Sequence, residues 1–212
     1  MNHGHIEVIF GPMFSGKSSE LQRRVKRHQI AKKNCLIVNF INDNRYTTEE
    51  YAATHDKNFM KCKKTNSLKS LDDSISQIDV IAIDEGQFFE DVVEYSDKWA
   101  NEGKIVIVAA LDATFQRKPF ANVCQLLPIA ETVKKLSSVC LDCGEKAAFS
   151  KRTVRSKEIT LIGDVECYKA VCRKCFFIEK SDKLSNGSLS TDASPESLEE
   201  SIKGKSDLSV AV

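Results

Sequence analysis

The sequence has almost no net charge, because 31 lysines and arginines are balanced by 30 aspartates and glutamates among its 212 residues. A protein that attracts nucleic acid or an anionic membrane from a distance usually carries a basic excess, so we expect neither partner. Long apolar runs are lacking as well, and none approaches the roughly 20 residues that span a membrane. The first residues, MNHGHIEVIFG, contain no basic region followed by an apolar stretch, the pattern of a secretory signal. We therefore expect a cytoplasmic protein.

What the sequence has instead is a set of short apolar runs rich in β-branched residues, at 5–11, 34–41, 79–85 and 104–112. Such runs are typical of parallel strands covered on both faces. Apolar residues at helical spacing separate them, as in the stripe of Val92, Tyr95, Ser96 and Trp99. In the first helical stretch, four basic residues lie largely off the stripe and are expected to face solvent: Arg23, Arg24, Lys26 and Arg27. Strands that alternate with helices predict an α/β fold, a mostly parallel sheet flanked by helices.

The character of the chain changes near residue 138. Residues 1–137 are expected to form the α/β domain, whereas residues 138–180 are short, cysteine-bearing and hairpin-like, and predict a small second lobe. From residue 181 to 212 there are no aromatic residues, and Ser, Asp, Glu, Lys and Gly dominate. A segment with so little apolar surface does not offset its ordering entropy, so we predict a disordered Ser-rich tail.

The stretch GPMFSGKS, residues 11–18, matches the phosphate-binding pattern G-x-x-x-x-G-K-[ST]. It follows a predicted strand and opens a predicted helix, the context that separates a phosphate loop from a chance match. Backbone amides of such a loop surround a polyphosphate at a helix N-terminus, Lys17 supplies a positive charge, and the Ser18 hydroxyl reaches Mg²⁺. We predict an ATP and Mg²⁺ site formed by Gly11, Pro12, Met13, Phe14, Ser15, Gly16, Lys17 and Ser18.

A pair of carboxylates follows the third apolar run, in VIAIDEGQFF. Residues at the carboxyl end of a parallel strand lie at the ligand-binding edge of the sheet. Asp84 there suits the Mg²⁺ shell, and Glu85 suits proton abstraction from a nucleophile. The simpler alternative is a pair of solvated loop carboxylates. Phosphoryl transfer follows as the reaction class, with either water (an ATPase) or a substrate hydroxyl (a kinase) as the acceptor.

Two Cys-x-x-Cys pairs supply four thiols, Cys140, Cys143, Cys172 and Cys175. Four thiolates match a structural Zn²⁺ site, and a redox role is the alternative. The 28-residue spacer between the pairs requires a projecting loop. Cys167 lies near the second pair and is a less suitable ligand. We expect the remaining thiols, Cys35, Cys62 and Cys124, to be ordinary buried residues.

Taken together, the motifs GPMFSGKSSEL, IDEGQFF, AALDATFQRKPF and VCRKC resemble the cytosolic, zinc-containing, tetrameric (type II) thymidine kinases, over about residues 5–178. The resemblance implies transfer of the ATP γ-phosphate to the 5′-hydroxyl of thymidine, or of deoxyuridine, in nucleotide salvage for DNA synthesis. It further implies a homotetramer, inhibition by thymidine triphosphate, and a long lasso loop in the zinc lobe that closes over the nucleoside.

The resemblance also assigns roles to residues. It implies that Glu85 is the catalytic base, that Asp84 belongs to the Mg²⁺ environment, and that Gly86 and Gln87 follow along the site. In DNRY, the resemblance places Asp43, Asn44 and Arg45 at the nucleotide site. Phe115 would form an apolar wall for thymine, and Tyr168 would pack near the base. The lasso residues Ile159, Thr160, Leu161, Ile162 and Gly163 would bind the base through their backbone. Further contacts are expected from Met13, Phe88, Leu111 and Phe120.

The sequence departs from the family pattern at Ala113 and Asp164, where glycine is common, and at Ser150, where threonine is common. Because Ser150 lacks a methyl group beside the expected thymine-methyl pocket, we expect thymidine to be preferred over deoxyuridine less stringently. Two other functions are weighed against a nucleoside kinase. One is a P-loop ATPase in which Glu85 activates water, and the other is a nucleic-acid-binding zinc ribbon, which the charge balance disfavours.

Overall fold

The computed structural model describes residues 3–41, 51–53, 59–154 and 167–178, with backbone alone for 51–53 and 59–61. In chain order the strands of this part are β1 (His5–Gly11), β2 (Cys35–Phe40), β3 (Tyr51–Ala53), β4 (Phe59–Lys61), β5 (Lys63–Thr65), β6 (Val80–Ile83), β7 (Ile105–Leu111), β8 (Thr132–Lys135), β9 (Ser138–Val139), β10 (Lys146–Ala147), β11 (Phe149–Arg152) and β12 (Tyr168–Val171). The α-helices are α1 (Lys17–Ile30), α2 (Val92–Asn101), α3 (Ala121–Leu126) and α4 (Arg173–Phe177). Short 3-10 helices cover Leu68–Ser74, Gly86–Phe88 and Leu127–Ile129.

Six strands form a sheet in the order β5-β2-β6-β7-β1-β8, and every neighbouring pair is parallel. The four apolar runs of the sequence form the four central strands, which confirms the predicted mostly parallel sheet flanked by helices. The edge strands β5 and β8 have the sequences KKT and TVKK. Their lysines hide the apolar pattern, and charged residues are common on edge strands because they discourage pairing with another sheet.

The central strands β6 and β7 are buried on both faces, and alternate residues of a strand point to opposite sides of the sheet. On one side, Ile107 of β7 belongs to the same apolar cluster as Leu21 and Val25 of α1. On the other side, Val108 belongs to a larger cluster that includes Trp99 of α2. These two clusters hold the helices against the sheet, so the ends of the strands, where loops meet, are fixed in position.

The basic face of α1 is only partly solvated. Arg23, Lys26 and Arg27 are exposed, as expected. The expectation is wrong for Arg24, whose side chain is 12% exposed and bonds Glu7 of β1 at 2.5 Å. Periodicity places Arg24 off the apolar stripe but does not reveal the carboxylate that lies across from it on β1.

Glu20, in the first turn of α1, connects three elements. Its carboxylate accepts hydrogen bonds from Arg23 and Arg24 on the same helix and from Lys134 of β8. The hydrogen bond from Arg23 is the main reason that the pKa of Glu20 is lowered from 4.5 to about 2. Burial opposes this shift, and the hydrogen bonds from Lys134 and Arg24 add to it. The edge strand β8 is therefore held by two kinds of contact. Its backbone pairs with β1, and the Lys134 side chain pairs with Glu20 of α1.

Residues 138–154 and 167–178, which we call the cysteine lobe, form two antiparallel pairs, β9 with β10 and β11 with β12. The described residues, all of which lie between 3 and 178, belong to one compact unit that contains both the sheet and this lobe. The division between residues 137 and 138 therefore stays a prediction, and the predicted tail, 181–212, lies outside the described residues. Among the described helices, none is both long and apolar enough to cross a membrane.

The three cysteines expected to be ordinary buried thiols differ in exposure. Cys62 is buried and Cys35 is half-buried, whereas Cys124 is exposed. The expectation is wrong for Cys124 because Val123 and Leu126, one helical turn apart, are the residues of α3 that face the core.

The ion pairs of Glu20 generate a pH-dependent prediction. A carboxylate whose pKa is lower in the folded than in the unfolded state stabilises the fold above the unfolded value and loses that effect as the pH falls through the folded value. Glu20→Gln should lower the free energy of unfolding by about 1–2 kcal/mol at pH 7. The difference from the unmodified protein should shrink between pH 4.5 and about 2, as measured by urea unfolding at several pH values.

Glu94→Gln is the matched control, because Glu94 is an exposed acid in the first turn of α2. It removes the same interaction with a helix dipole without breaking the Glu20 contacts. Equal effects of the two substitutions would contradict the account of Glu20.

Candidate active site

The loop between β1 and α1 has a backbone that requires its two glycines. A Cβ on Gly11 would lie 2.6 Å from the carbonyl oxygen of Leu136, too close for any side chain. Gly16, which precedes α1, has φ of 79°, in the left-handed region that glycine adopts without strain. Lys17 is 8% exposed, and its Nζ donates to the Pro12 carbonyl oxygen at 2.9 Å. The loop is therefore closed on itself at the N-terminus of a 14-residue helix, where the dipole favours an anion.

Glu85 lies just beyond β6, and its side chain is held by Gln87. Glu85 is 8% exposed and has φ of 55°, a conformation that costs free energy in a residue with a side chain. Gln87 Nε2 donates to Glu85 Oε2 at 2.5 Å, while Gln87 Oε1 accepts from the backbone N–H of Leu111 at 2.9 Å. Gln87 thus bridges the carboxylate of Glu85 to the end of β7. The family resemblance only implied that Gln87 follows the site, whereas the structure gives it this positioning contact.

The turn that carries Glu85 fits closely onto β7. A Cβ on Gly86 would lie 2.6 Å from Val108 Cγ1, so only glycine allows this approach. Asn122 of α3 donates to the carbonyl oxygens of Gln87 and Phe89 at 3.1 and 3.0 Å. The sequence reasoning missed Asn122, because a lone amide two residues into a short helix has no pattern that marks it.

Asp84 is buried at the carboxyl end of β6, where its Oδ1 accepts from the Glu85 N–H at 3.0 Å. Because β6, β7 and β1 are neighbouring parallel strands, Asp84 and the glycine loop follow strands that end at the same edge of the sheet. Ser18 is half-buried in the first turn of α1. The two predicted Mg²⁺ neighbours, Ser18 and Asp84, therefore belong to one edge of the sheet, and a hydroxyl with a carboxylate is a donor set that suits Mg²⁺.

A second group of residues surrounds Arg152, at the end of β11. Its Cζ lies 3.8 Å above the ring centre of Phe115, and its Nη2 donates to the Tyr168 hydroxyl at 2.5 Å. Phe115 and Tyr168, both assigned to the acceptor by resemblance, are thus brought together by a cation that the sequence reasoning missed. Arg152 and Tyr168 also pair across β11 and β12, at the base of the predicted lasso.

The loop that carries Phe115 is anchored to the cysteine lobe by Arg117. The Arg117 guanidinium carbon lies 4.9 Å from the ring centre of Phe176 and 4.6 Å from that of Phe177. Stacking of this kind stabilises a loop because the ring face attracts the cation. Beneath the loop is a cavity of about 260 Å³, with Ser150 and Arg117 among its lining residues.

The remaining predicted contacts divide into two groups. Met13 is buried, Leu111 is half-buried, and Phe88 packs against Phe40 with ring centres 5.4 Å apart. Phe120 packs against the main core. Asp43, Asn44, Arg45 and the lasso residues 159–163 lie outside the described residues, as does Asp164, and their roles stay predictions.

Four thiols converge in the cysteine lobe. The Sγ atoms of Cys140, Cys143, Cys172 and Cys175 all lie within 4.8 Å of one another, and Cys167 is not part of the cluster. Tetrahedral Zn²⁺ with Zn–S bonds of about 2.3 Å requires sulfur atoms about 3.8 Å apart, which these distances allow. Burial, followed by hydrogen bonds with the neighbouring thiols, raises the pKa of Cys175 to about 12. A cation is therefore needed for all four to ionise together, as Zn²⁺ provides.

The fold and this site define a class: an α/β protein with a glycine-rich loop at the start of its first helix and a buried carboxylate at the same edge of the sheet, a combination typical of nucleotide-binding proteins. Comparison with known proteins agrees and is more specific. The family model described as thymidine kinase matches residues 4–176. The chain therefore belongs to the thymidine kinase family, and its cysteine cluster is that expected for the type II members.

Individual relatives are similar over nearly their whole length. Thymidine kinase of sheeppox virus is 52% identical over 179 residues, which cover 84% of this chain and all of the relative. Thymidine kinases of vaccinia virus (strain Western Reserve) and monkeypox virus are 54% and 53% identical over 176 residues, or 83% of this chain and 98% of each relative. The chain is thus a kinase enzyme.

The thiol cluster generates a prediction about metal content. The purified protein should contain about one Zn²⁺ per chain, and Cys143→Ser should lower that content and the unfolding temperature, because metal binding supplies folding free energy to a small lobe. Elemental analysis and thermal unfolding measure the two effects.

Cys124→Ser is the control, since Cys124 is an exposed thiol outside the cluster. It should change neither zinc content nor unfolding temperature. Protein that is free of zinc yet unfolds at the same temperature would contradict the assignment.

Proposed function

We propose that the protein transfers the γ-phosphate of ATP to the 5′-hydroxyl of thymidine, with deoxyuridine as a weaker acceptor. The observation that carries the proposal is the buried carboxylate of Glu85, held by Gln87 at the same sheet edge as the glycine loop. Family membership and the names of the viral relatives support thymidine as the acceptor.

Glu85 is the proposed base. As the 5′-oxygen attacks the γ-phosphorus, a new P–O bond forms, the bond between the γ-phosphorus and its bridging oxygen breaks, and ADP leaves. The proton of the hydroxyl passes to the Glu85 carboxylate. The hydrogen bond from Gln87 fixes the orientation of that carboxylate, which is what a base requires before substrate arrives.

The donor phosphates are proposed to bind the loop from Gly11 to Ser18. Lys17 is already folded over this loop by its contact with Pro12, so its charge is in place. Ser18 and Asp84 would hold Mg²⁺, which when bound offsets the negative charge of the phosphates. Asp43, Asn44 and Arg45 are proposed to complete the nucleotide site.

The acceptor is proposed to lie against Phe115 and Tyr168, with lasso residues 159–163 closing over the base. The arrangement of Phe115, Arg152 and Tyr168 supports this, because it supplies an aromatic wall and polar groups near the lasso. An ATPase that activates water has no use for such a wall, and this favours a kinase.

Other features of the proposal rest on family resemblance. These are a homotetramer, inhibition by thymidine triphosphate, a cytoplasmic location and a part in nucleotide salvage for DNA synthesis. Structural Zn²⁺ rests in addition on the convergence of the four thiols.

The first test concerns Glu85. Glu85→Gln should lower kcat at least about 100-fold, because general-base catalysis contributes that much or more, while ATP binding should change little. Turnover with labelled ATP and thymidine, and calorimetric titration with ATP, measure the two effects.

Glu90→Gln is the matched control, because Glu90 is exposed only five residues further on and should leave turnover unchanged. Turnover retained by Glu85→Gln would exclude Glu85 as the base. Rapid ADP release by the unmodified protein without any nucleoside would instead favour the ATPase.

The second test concerns acceptor stringency at Ser150, which is 6% exposed. Ser150→Thr should raise the ratio of kcat/KM for thymidine over deoxyuridine by up to about fourfold, the value of one buried methyl group. Ser137→Thr, the same change at an exposed position, should not. A ratio that Ser150→Thr leaves unchanged would refute this explanation of stringency.

A further inference from the structure

We propose that Ser138 of the cysteine lobe is a positioning residue for the phosphate donor, acting through the backbone of Phe14 in the glycine loop. The inference deepens the proposed function and rests on ATP as the donor. It gives the cysteine lobe a second task beyond the acceptor side, namely to set the conformation of the loop that receives the phosphates.

The first observation is the contact itself. Ser138 Oγ donates a hydrogen bond of 2.9 Å to the carbonyl oxygen of Phe14, and the two residues are 124 positions apart in the chain. Phe14 has φ of 61°, in the left-handed region that a residue with a side chain rarely adopts. A strained conformation persists only where its surroundings hold it, and Ser138 supplies one such hold.

The consequence for the donor follows from the planarity of the peptide bond. No cis peptide is present in the described chain, so the Phe14 C=O and the Ser15 N–H point in opposite directions across one plane. With the carbonyl directed at Ser138, the Ser15 N–H is directed away from the cysteine lobe. Amides of this loop are the groups expected to surround a polyphosphate. Ser138 therefore orients one phosphate ligand without touching the phosphate.

The peptide between Pro12 and Met13, two positions earlier in the loop, is also held, and from both sides. The Met13 N–H donates to Ser150 Oγ at 2.9 Å, and the Pro12 C=O of that peptide accepts from Lys17 Nζ at 2.9 Å. Ser150 thus accepts a hydrogen bond from the loop backbone, whereas Ser138 donates one to it. Together Ser138 of β9 and Ser150 of β11 fix two peptide groups of the loop.

The side chain of Phe14 is a third link. It packs against the core of the cysteine lobe, which includes Cys140, Ala147 and Val171. Its backbone belongs to the glycine loop while its ring belongs to the lobe, so the loop does not relax without disturbing that core. The Ser15 hydroxyl is buried and has no hydrogen-bond partner among the described residues, as expected of a loop shaped for a ligand.

The test compares Ser138→Ala with the unmodified protein. The dissociation constant for ATP with Mg²⁺, measured by calorimetry without nucleoside, should rise about three- to tenfold, the effect of losing one hydrogen bond. The KM for ATP should rise by the same factor, whereas the KM for thymidine should stay within about twofold, because the acceptor contacts are untouched.

Two variants sharpen the result. Ser138→Thr keeps the hydroxyl and should restore ATP affinity, and Ser137→Ala removes an exposed hydroxyl one residue away and should have no effect. If Ser138→Ala yields no folded protein, Ser150→Ala takes its place in the same titration, which contains no nucleoside. It removes the tether of Met13 and should also weaken ATP binding.

Three outcomes would overturn the inference. They are an unchanged ATP dissociation constant for Ser138→Ala, equal weakening of both substrates, and failure of Ser138→Thr to restore affinity. If the unmodified protein binds no ATP, the proposed function fails and this inference fails with it. If it binds ATP and Ser138→Ala binds equally well, the inference alone is refuted.

Discussion

The parallel pairing of β6, β7 and β1 is the constraint on which the site depends. The three strands begin level with one another, but β6 ends at Ile83, level with Val108, whereas β7 continues to Leu111. The turn after β6 therefore packs on the last residues of β7, and Gly86 permits that approach. The Leu111 amide then anchors Gln87, and Gln87 holds Glu85. A difference in strand length thus creates the place where a carboxylate is buried and oriented.

Backbone strain is concentrated where orientation matters. Of the four residues other than glycine with positive φ in the described chain, Phe14 and Glu85 lie in the proposed site. Each is held by groups from elsewhere in the fold, Phe14 by the cysteine lobe and Glu85 by the bridge to β7. Groups that are oriented before a ligand arrives do not need to be ordered during the reaction, and this is the physical gain that offsets the strain.

The elements of this protein that can be predicted from its sequence are those marked by a pattern among neighbouring residues. The central strands have continuous apolar runs, and the phosphate loop has fixed spacing followed by a helix. The edge strands lack such a signal because their lysines resemble loop residues. Arg24, Asn122 and Arg152 lack it for another reason: each acts through a partner that folding brings near, such as Glu7 for Arg24, 17 residues away. Ser138 is the extreme case, because a single hydroxyl has no periodicity and its partner is 124 residues distant.

The position of the cysteine lobe lets one small element contact both halves of the proposed site. The proposed binding of Zn²⁺ by the four thiols would contribute directly to folding free energy and so order the residues that the lobe carries. The lobe holds Arg152 and Tyr168 on the proposed acceptor side and, through Ser138 and Ser150, the loop on the proposed donor side. Phosphoryl transfer requires the two reacting oxygens to be roughly in line with the phosphorus, and small misplacements cost rate. Two binding sites mounted on separate loops would move independently, whereas sites that share one support keep their relative position when either loop fluctuates.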